Sequence, residues 1–181
     1  MSHLQRAIEL AVQFHSGQMR EGDQPLPYIT HPLEVLLNLR FVGRVTDEEM
    51  LCAAVLHDTV EAAIIDLDTI QREFGTRVRD LVQELTREEP KPSALVGLRK
   101  KEIWRLRAEM LIDEIAKMSS DAQQIKLADR LANLRDAYRT KSGSKLERYK
   151  WQTQRILEVV PRASNKKLWD AIRGELAEFG E

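Results

Sequence analysis

Apolar residues recur at helical spacing along almost the whole of this 181-residue chain, and no alternating run long enough for a useful strand interrupts them. A chain with that one period buries its stripes by packing helix on helix, so the expected fold class is all-α. In a first helix Leu4, Ala7, Ile8, Ala11 and Val12 lie on one stripe, and carrying it three residues further turns His15 inward. Residues 16–29 hold two Gly, two Pro and several charges and read as a loop. Thr30 is placed to cap a second helix with Pro32 in its first turn, which puts His31 at a helix start. Thr46 and Glu49 have the spacing of a capping box for a third.

Further along, Leu67, Ile70 and Phe74 mark a short helix closed by Gly75, and Val78, Leu81, Val82 and Leu85 mark another. Residues 87–97, with Pro90 and Pro92, form a connecting loop rather than a domain boundary, because the same periodicity stands on both sides. A long helix is expected over 98–118 with Trp104, Ala108, Leu111, Ile115 and Met118 on its buried face, stopped by Ser119, Ser120 and Asp121, which cap the next. That next helix places Ile125, Ala128, Asp129 and Ala132 on one face, with Asn133 one turn beyond Asp129. Ser144 and Glu147 have the spacing to cap a helix reaching Pro161, and Leu168, Ile172, Leu176 and Phe179 mark a terminal one. The expectation is a single domain over residues 1–181 with roughly eight to ten helices, including a helical C-terminal extension over 144–181.

The longest uninterrupted apolar run covers residues 50–56 and ends on His57 and Asp58. Leu51, Ala54, Val55 and Asp58 fall at i, i+3, i+4 and i+7, so on a helix the carboxylate points where the apolar side chains point. A buried carboxylate needs a cation or hydrogen-bond donors, and a divalent metal meets that need. His31, His57, Asp58 and Asp129 together make two imidazoles and two carboxylates from three helical segments. This mixed nitrogen and oxygen set suits manganese, iron, zinc or magnesium rather than a thiolate-bound structural zinc. Periodicity does not show that the four converge, and each alone has an ordinary reading as a hydrogen-bonded core or capping residue.

Composition narrows the classes of function. With 28 Lys plus Arg against 29 Asp plus Glu the net charge is -1, so no global basic field calls for nucleic acid or an anionic membrane. No apolar run approaches a membrane span. The one cysteine, Cys52, lies in the apolar run as a small core residue and suits a reducing cytoplasm. The C-terminal helices leave three uses open: completing the core, covering a pocket, or a homodimer contact.

Four stretches carry a family resemblance: HSGQMR at 15–20, PYITHP at 27–32, AAVLHDTVE at 53–61 and KLADRLANLRD at 126–136. Their order and spacing resemble the HD-superfamily hydrolase domain of RelA/SpoT-type proteins, and most of all the stand-alone small alarmone hydrolases. The resemblance implies an all-helical fold with one divalent ion, usually Mn2+, held by His31, His57, Asp58 and Asp129. It implies hydrolysis of the 3′-pyrophosphate of guanosine tetra- or pentaphosphate, a small-molecule nucleotide substrate, with Glu61 orienting the attacking water beside His57 and Asp58. It also implies that Arg20 contacts the base and that Asn133 helps hold the nucleoside, and that no synthetase module follows.

Two departures stand out. An acidic pair usually follows the HDTV stretch, whereas here Glu61 is followed by Ala62. Loss of a group that positions or deprotonates water costs a factor of roughly ten to ten thousand in rate. The loop EGDQPLP at 21–27 is also about two residues longer than usual, on the base-contacting side. Both permit a related enzyme acting on an adenosine-type alarmone or a 3′- or 2′-phosphorylated nucleotide, or a sensor that keeps the metal and has lost turnover.

Overall fold

Ten α-helices and one π-helical turn make up the regular structure among the described residues, 2–61 and 65–178 of a computed structural model. The helices are α1 (His3–Phe14), α2 (Thr30–Leu37), which runs on into the π-turn Asn38–Val42, α3 (Glu48–Glu61), α4 (Leu67–Phe74) and α5 (Thr76–Leu85). They continue as the single turn α6 (Pro92–Leu95), then α7 (Lys100–Lys117), α8 (Ser120–Thr140), α9 (Gly143–Val159) and α10 (Lys166–Glu178). The expected all-α class holds: the extended geometry found among the described residues is an isolated bridge between Met19 and Pro27 in the first loop.

Two helices form the middle of the bundle. Every residue from Met50 to Leu56 is buried, and α3 packs against α1, α2, α5 and α8. In α8 Ala122, Ile125, Leu127, Ala128, Leu131, Ala132, Leu134 and Ala137 are all buried, with α2, α9 and α10 around it. A helix apolar on every side belongs inside a core, and the alanines let its neighbours approach closely. Because α3 is enclosed all round, direction alone does not single out Asp58: His57 is 2% exposed, and the Asp58 side chain, at 19%, is the more open of the two.

Local signals mostly sit where expected, with shifts at the caps. Ser119 accepts from the Ala122 amide at the start of α8, and Gly75, at φ 88°, closes α4 in a conformation that costs other residues a steric penalty. At α3, however, it is Asp47 and not Thr46 whose side chain accepts from Met50, because a carboxylate one residue nearer the first turn reaches the free amide. Thr30 is the first residue of α2 rather than its cap, and its hydroxyl donates back to the Pro27 carbonyl. Helix α9 begins before Ser144, with Ser142 at its N-cap and no side-chain cap bond. The α1 stripe turns slightly from expectation, burying Leu10 with Ala7 and Ala11 and leaving Val12 49% exposed. His15 is buried, as its place at the end of the stripe implied. Trp104 in α7 is half-buried against Trp151 of α9.

The C-terminal helices serve two of the uses left open. Leu168 and Ile172 of α10 are fully buried and close the core against α8 and the π-turn. Helix α9 packs on α7 and α8 and brings Tyr149 to a cavity beside His31. Leu176 packs against the core, while Phe179 lies outside the described residues. Cys52 is buried, and burial, then Glu48, Glu49 and Asp47, pushes its thiol up to about 12, which suits a core residue rather than a nucleophile. No helix of the described residues is long and apolar enough to cross a membrane.

Candidate metal centre

Three elements meet where α2, α3 and α8 pack together. The first turn of α2 delivers His31, the end of α3 delivers His57 and Asp58, and the middle of α8 delivers Asp129. His31 Nε2 lies 3.4 Å from Asp129 Oδ1 and 3.5 Å from Asp58 Oδ2. His57 Nε2 lies 3.0 Å from Asp58 Oδ1 and 3.9 Å from Asp129 Oδ1. His31, His57 and Asp129 each turn one donor atom into a common space, all within 4.8 Å of one another, and Asp58 adjoins both imidazoles.

The chemistry of this cluster calls for a cation. His57 Nδ1 is 2.9 Å from the Ala54 carbonyl oxygen, which only accepts, so Nδ1 carries the proton and donates. The other nitrogen, Nε2, is buried with no hydrogen-bond partner, and in neutral imidazole its lone pair faces the oxygens of Asp58 and Asp129. Electron pairs so close together need a proton or a metal between them, and the backbone bond to the far nitrogen is the usual way of holding a ligating imidazole. The orphaned Nε2 and the donor set therefore fit a divalent metal ion.

The ionisation of the cluster has the same sense. Burial pushes the His57 pKa down, but the charge of Asp58, and then of Asp129, brings it up to about 9. Burial likewise opposes the charge on Asp58, yet His57 and then His31 hold its carboxyl well below the usual range. For Asp129, burial is outweighed first by Lys126 and then by the imidazoles, so it too stays ionised.

Three neighbours fix the carboxylates. The Tyr28 hydroxyl donates to Asp58 Oδ2 at 2.7 Å, and Lys126 Nζ lies 2.8 Å from Asp129 Oδ2. The Asn133 amide donates to Asp129 Oδ1. The imidazole of His15, held by Gln18 through Nδ1, packs at a tilt against Tyr28 with ring centroids 4.8 Å apart, and Tyr28 in turn contacts His31. Tyr28 and Lys126 are not among the residues picked out from the sequence. Lys126 could have been, since it stands one turn before Asp129 on the same helix; Tyr28 could not, because its partner is 30 residues away across the fold.

Beside the cluster opens a cavity of about 210 Å³, lined by Arg20, Tyr28, His31, Asn133, Lys141 and Tyr149 among others. Arg20 is no solvated loop residue: its side chain is 10% exposed and pairs with Glu34 at 3.3 Å and Asp136 at 3.1 Å. Arg20 and Asn133 thus face one space next to His31. Glu61 is the last residue of α3, a turn beyond His57, while its side chain, like Ala62, lies outside the described residues.

The model of the HD domain matches residues 7–160, a span that contains all four motif stretches and the whole cluster. The chain belongs to the HD-domain family. Among HD-domain relatives, the guanosine-3′,5′-bis(diphosphate) 3′-pyrophosphohydrolase MESH1 of Xenopus tropicalis is 37% identical over 159 residues, 87% of this chain and 79% of that protein. The Homo sapiens MESH1 is 34% identical over 177 residues, 95% of this chain and 92% of that protein. A solved structure described as a metazoan ortholog of SpoT that hydrolyzes ppGpp superposes with a TM-score of 0.83 at 29% identity, covering 99% of this chain and 97% of that one. The resemblance read from the four motifs, to a stand-alone HD-type hydrolase, is borne out.

Proposed function

We propose that the chain is a metal-dependent nucleotide pyrophosphohydrolase that removes the 3′-pyrophosphate of guanosine tetra- or pentaphosphate in a reducing cytoplasm. The observation that carries this reading is the convergence of His31, His57 and Asp129 on one space, in a chain alike over most of its length to proteins named for that hydrolysis. His31, His57, Asp58 and Asp129 are the proposed ligands and Mn2+ the proposed ion, which when bound lowers the pKa of a water and withdraws charge from a phosphoryl oxygen. The protein's own part is positioning. The Ala54 carbonyl sets the His57 ring, Tyr28 holds one oxygen of Asp58, and Lys126 and Asn133 hold Asp129.

The adjoining cavity would take the nucleoside, with Arg20 kept in place by Glu34 and Asp136 as a base contact and Asn133 beside the sugar. Glu61, one turn past the ligand pair, is the proposed proton acceptor for the attacking water. As the new P–O bond forms, the bond from phosphorus to the 3′-oxygen breaks. Pyrophosphate leaves, and the 3′-oxygen takes up a proton to give guanosine 5′-diphosphate from the tetraphosphate.

The test is to incubate Mn2+-loaded protein with guanosine tetraphosphate, its adenosine counterpart and 3′-phosphorylated nucleotides, separating pyrophosphate from orthophosphate by ion exchange. Pyrophosphate from the guanosine substrate is expected, and His57→Ala should abolish both bound metal and turnover. Bound metal with no turnover of any substrate would overturn the enzyme reading, and no bound metal at all would overturn the ligand set.

A further inference from the structure

Two cations line the cavity beside His31, and their counter-charges differ in kind. Arg20 is matched by Glu34 of α2 and Asp136 of α8, two carboxylates on packed helices. Lys141, at the end of α8, has its Nζ 2.8 Å from Glu21 Oε2 and 5.3 Å from the centre of the Tyr149 ring. The Lys141 side chain is only 12% exposed, whereas that of Glu21 is 83% exposed, on the loop that the sequence marks as longer than usual. Asp136 also attracts Lys141 from α8, but the hydrogen-bonded partner is Glu21. The half-hidden cation is thus closed off by a carboxylate that reaches in from solvent.

We propose that Lys141 is a specificity-determining residue that receives the 5′-phosphate group of a nucleotide whose 3′-phosphate end is at the metal cluster, with Glu21 standing in as an internal anion in the free protein. His31 marks the buried end of the cavity and Glu21 its solvent end, so a nucleotide phosphorylated at two positions has an anion for each. An ion pair with one partner in solvent is weak. A phosphate carries more charge and more acceptor oxygens, and its charge-assisted bonds are stronger, so it displaces Glu21 at Lys141. With Glu21 displaced, Arg20 still has Glu34 and Asp136, whereas Lys141 has lost its hydrogen-bonded counter-charge, so Lys141 is the cation left for an anionic ligand.

The inference rests on the proposed phosphohydrolase reading, and its test separates the two. KM and kcat are measured for Lys141→Ala, Lys141→Arg and Glu21→Gln with guanosine tetraphosphate and with guanosine 3′-diphosphate, which lacks 5′-phosphates. For the tetraphosphate, Lys141→Ala should raise KM roughly tenfold, with most of the loss in KM rather than kcat. Lys141→Arg should restore most of it, and Glu21→Gln should lower KM by a factor of about three to five, having removed the competitor. KM for the 3′-diphosphate should be alike in all forms. An equal KM rise for both substrates, or a higher KM in Glu21→Gln, would overturn the assignment. Calorimetric titration of the Mn2+-loaded protein with guanosine 5′-diphosphate gives a readout without turnover: Glu21→Gln should bind more tightly than the unsubstituted chain and Lys141→Ala more weakly. Equal affinities in all three would sink the Lys141 site whether or not the protein hydrolyses alarmones.

Discussion

At the buried end of the site neighbouring side chains hold both carboxylates in place. Tyr28 holds Asp58 Oδ2, and Lys126 holds Asp129 Oδ2, which turns Asp129 Oδ1 toward the imidazoles. Groups that orient a ligand in this way typically contribute about ten- to a hundredfold in metal affinity. Tyr28→Phe keeps the ring against His15 and His31 and removes only the hydroxyl, so a loss of that size is expected in a Mn2+ titration with little change in Tm; an unchanged affinity would remove Tyr28 from the site. A second prediction concerns the missing acid. Ala62→Asp should raise alarmone turnover about tenfold or more if a second carboxylate limits water activation, and an unchanged or lower kcat would mean that the pocket positions its water otherwise. Residue types were the legible part here. A histidine and an aspartate at the end of an apolar run announce a ligand pair, whereas the hydroxyl that orients Asp58 comes from a loop 30 residues earlier and leaves no local pattern.

The element that joins site to scaffold is α8, and Arg130 shows how. It follows Asp129 directly, so one turn of helix faces the metal cluster on one side and α9 on the other. Its guanidinium is buried, donating from Nε to Thr153 Oγ1 at 2.8 Å and from Nη2 to the Tyr149 carbonyl and Gln152 Oε1, both at 3.0 Å. It also lies over the Tyr149 ring. Burial pushes its pKa down, and these bonds are what make a buried cation tolerable. Arg130→Met should cost roughly 2–4 kcal/mol in denaturant unfolding, because Thr153 Oγ1 and Gln152 Oε1 lose their guanidinium donor, and α9 amides should lose hydrogen-exchange protection before those of α3. Equal loss in both helices would mean that Arg130 stabilises the bundle globally rather than docking α9. Helix existence was legible from spacing, and so was the buried face of Ile125, Ala128, Asp129 and Ala132. Arg130 was not, because an arginine in a helix is generally a solvent residue and only a partner helix makes it otherwise. The caps shifted for a related reason: Asp47 and Thr46 both have the chemistry, and the entry angle of the chain chooses between them.

For the molecule as a whole, the cluster couples folding to pH and to metal. The His57 pKa in the folded, metal-free protein is about 9, above its ordinary value of 6.5. The stabilisation from its charged form is therefore complete below about pH 6.5 and is lost as the pH rises through about 9. As a proposed metal ligand, Nε2 would hold the ion in place of the proton, and the loaded protein would not share that loss. The Tm difference between Mn2+-loaded and metal-free protein should accordingly widen from pH 6.5 to pH 9 in matched scans; a constant difference would show that His57 is not the group exchanged. By itself the sequence determined the all-α class, the place of most helices and the family, because each is written in local period or in the spacing of short motifs. Only the tertiary structure decided that His31, His57 and Asp129 share one space beside Asp58, that Tyr28 and Lys126 hold the two carboxylates, and that Glu21 meets Lys141 from 120 residues away. Those contacts are products of helix packing and burial, and a one-dimensional pattern carries no term for which buried faces meet.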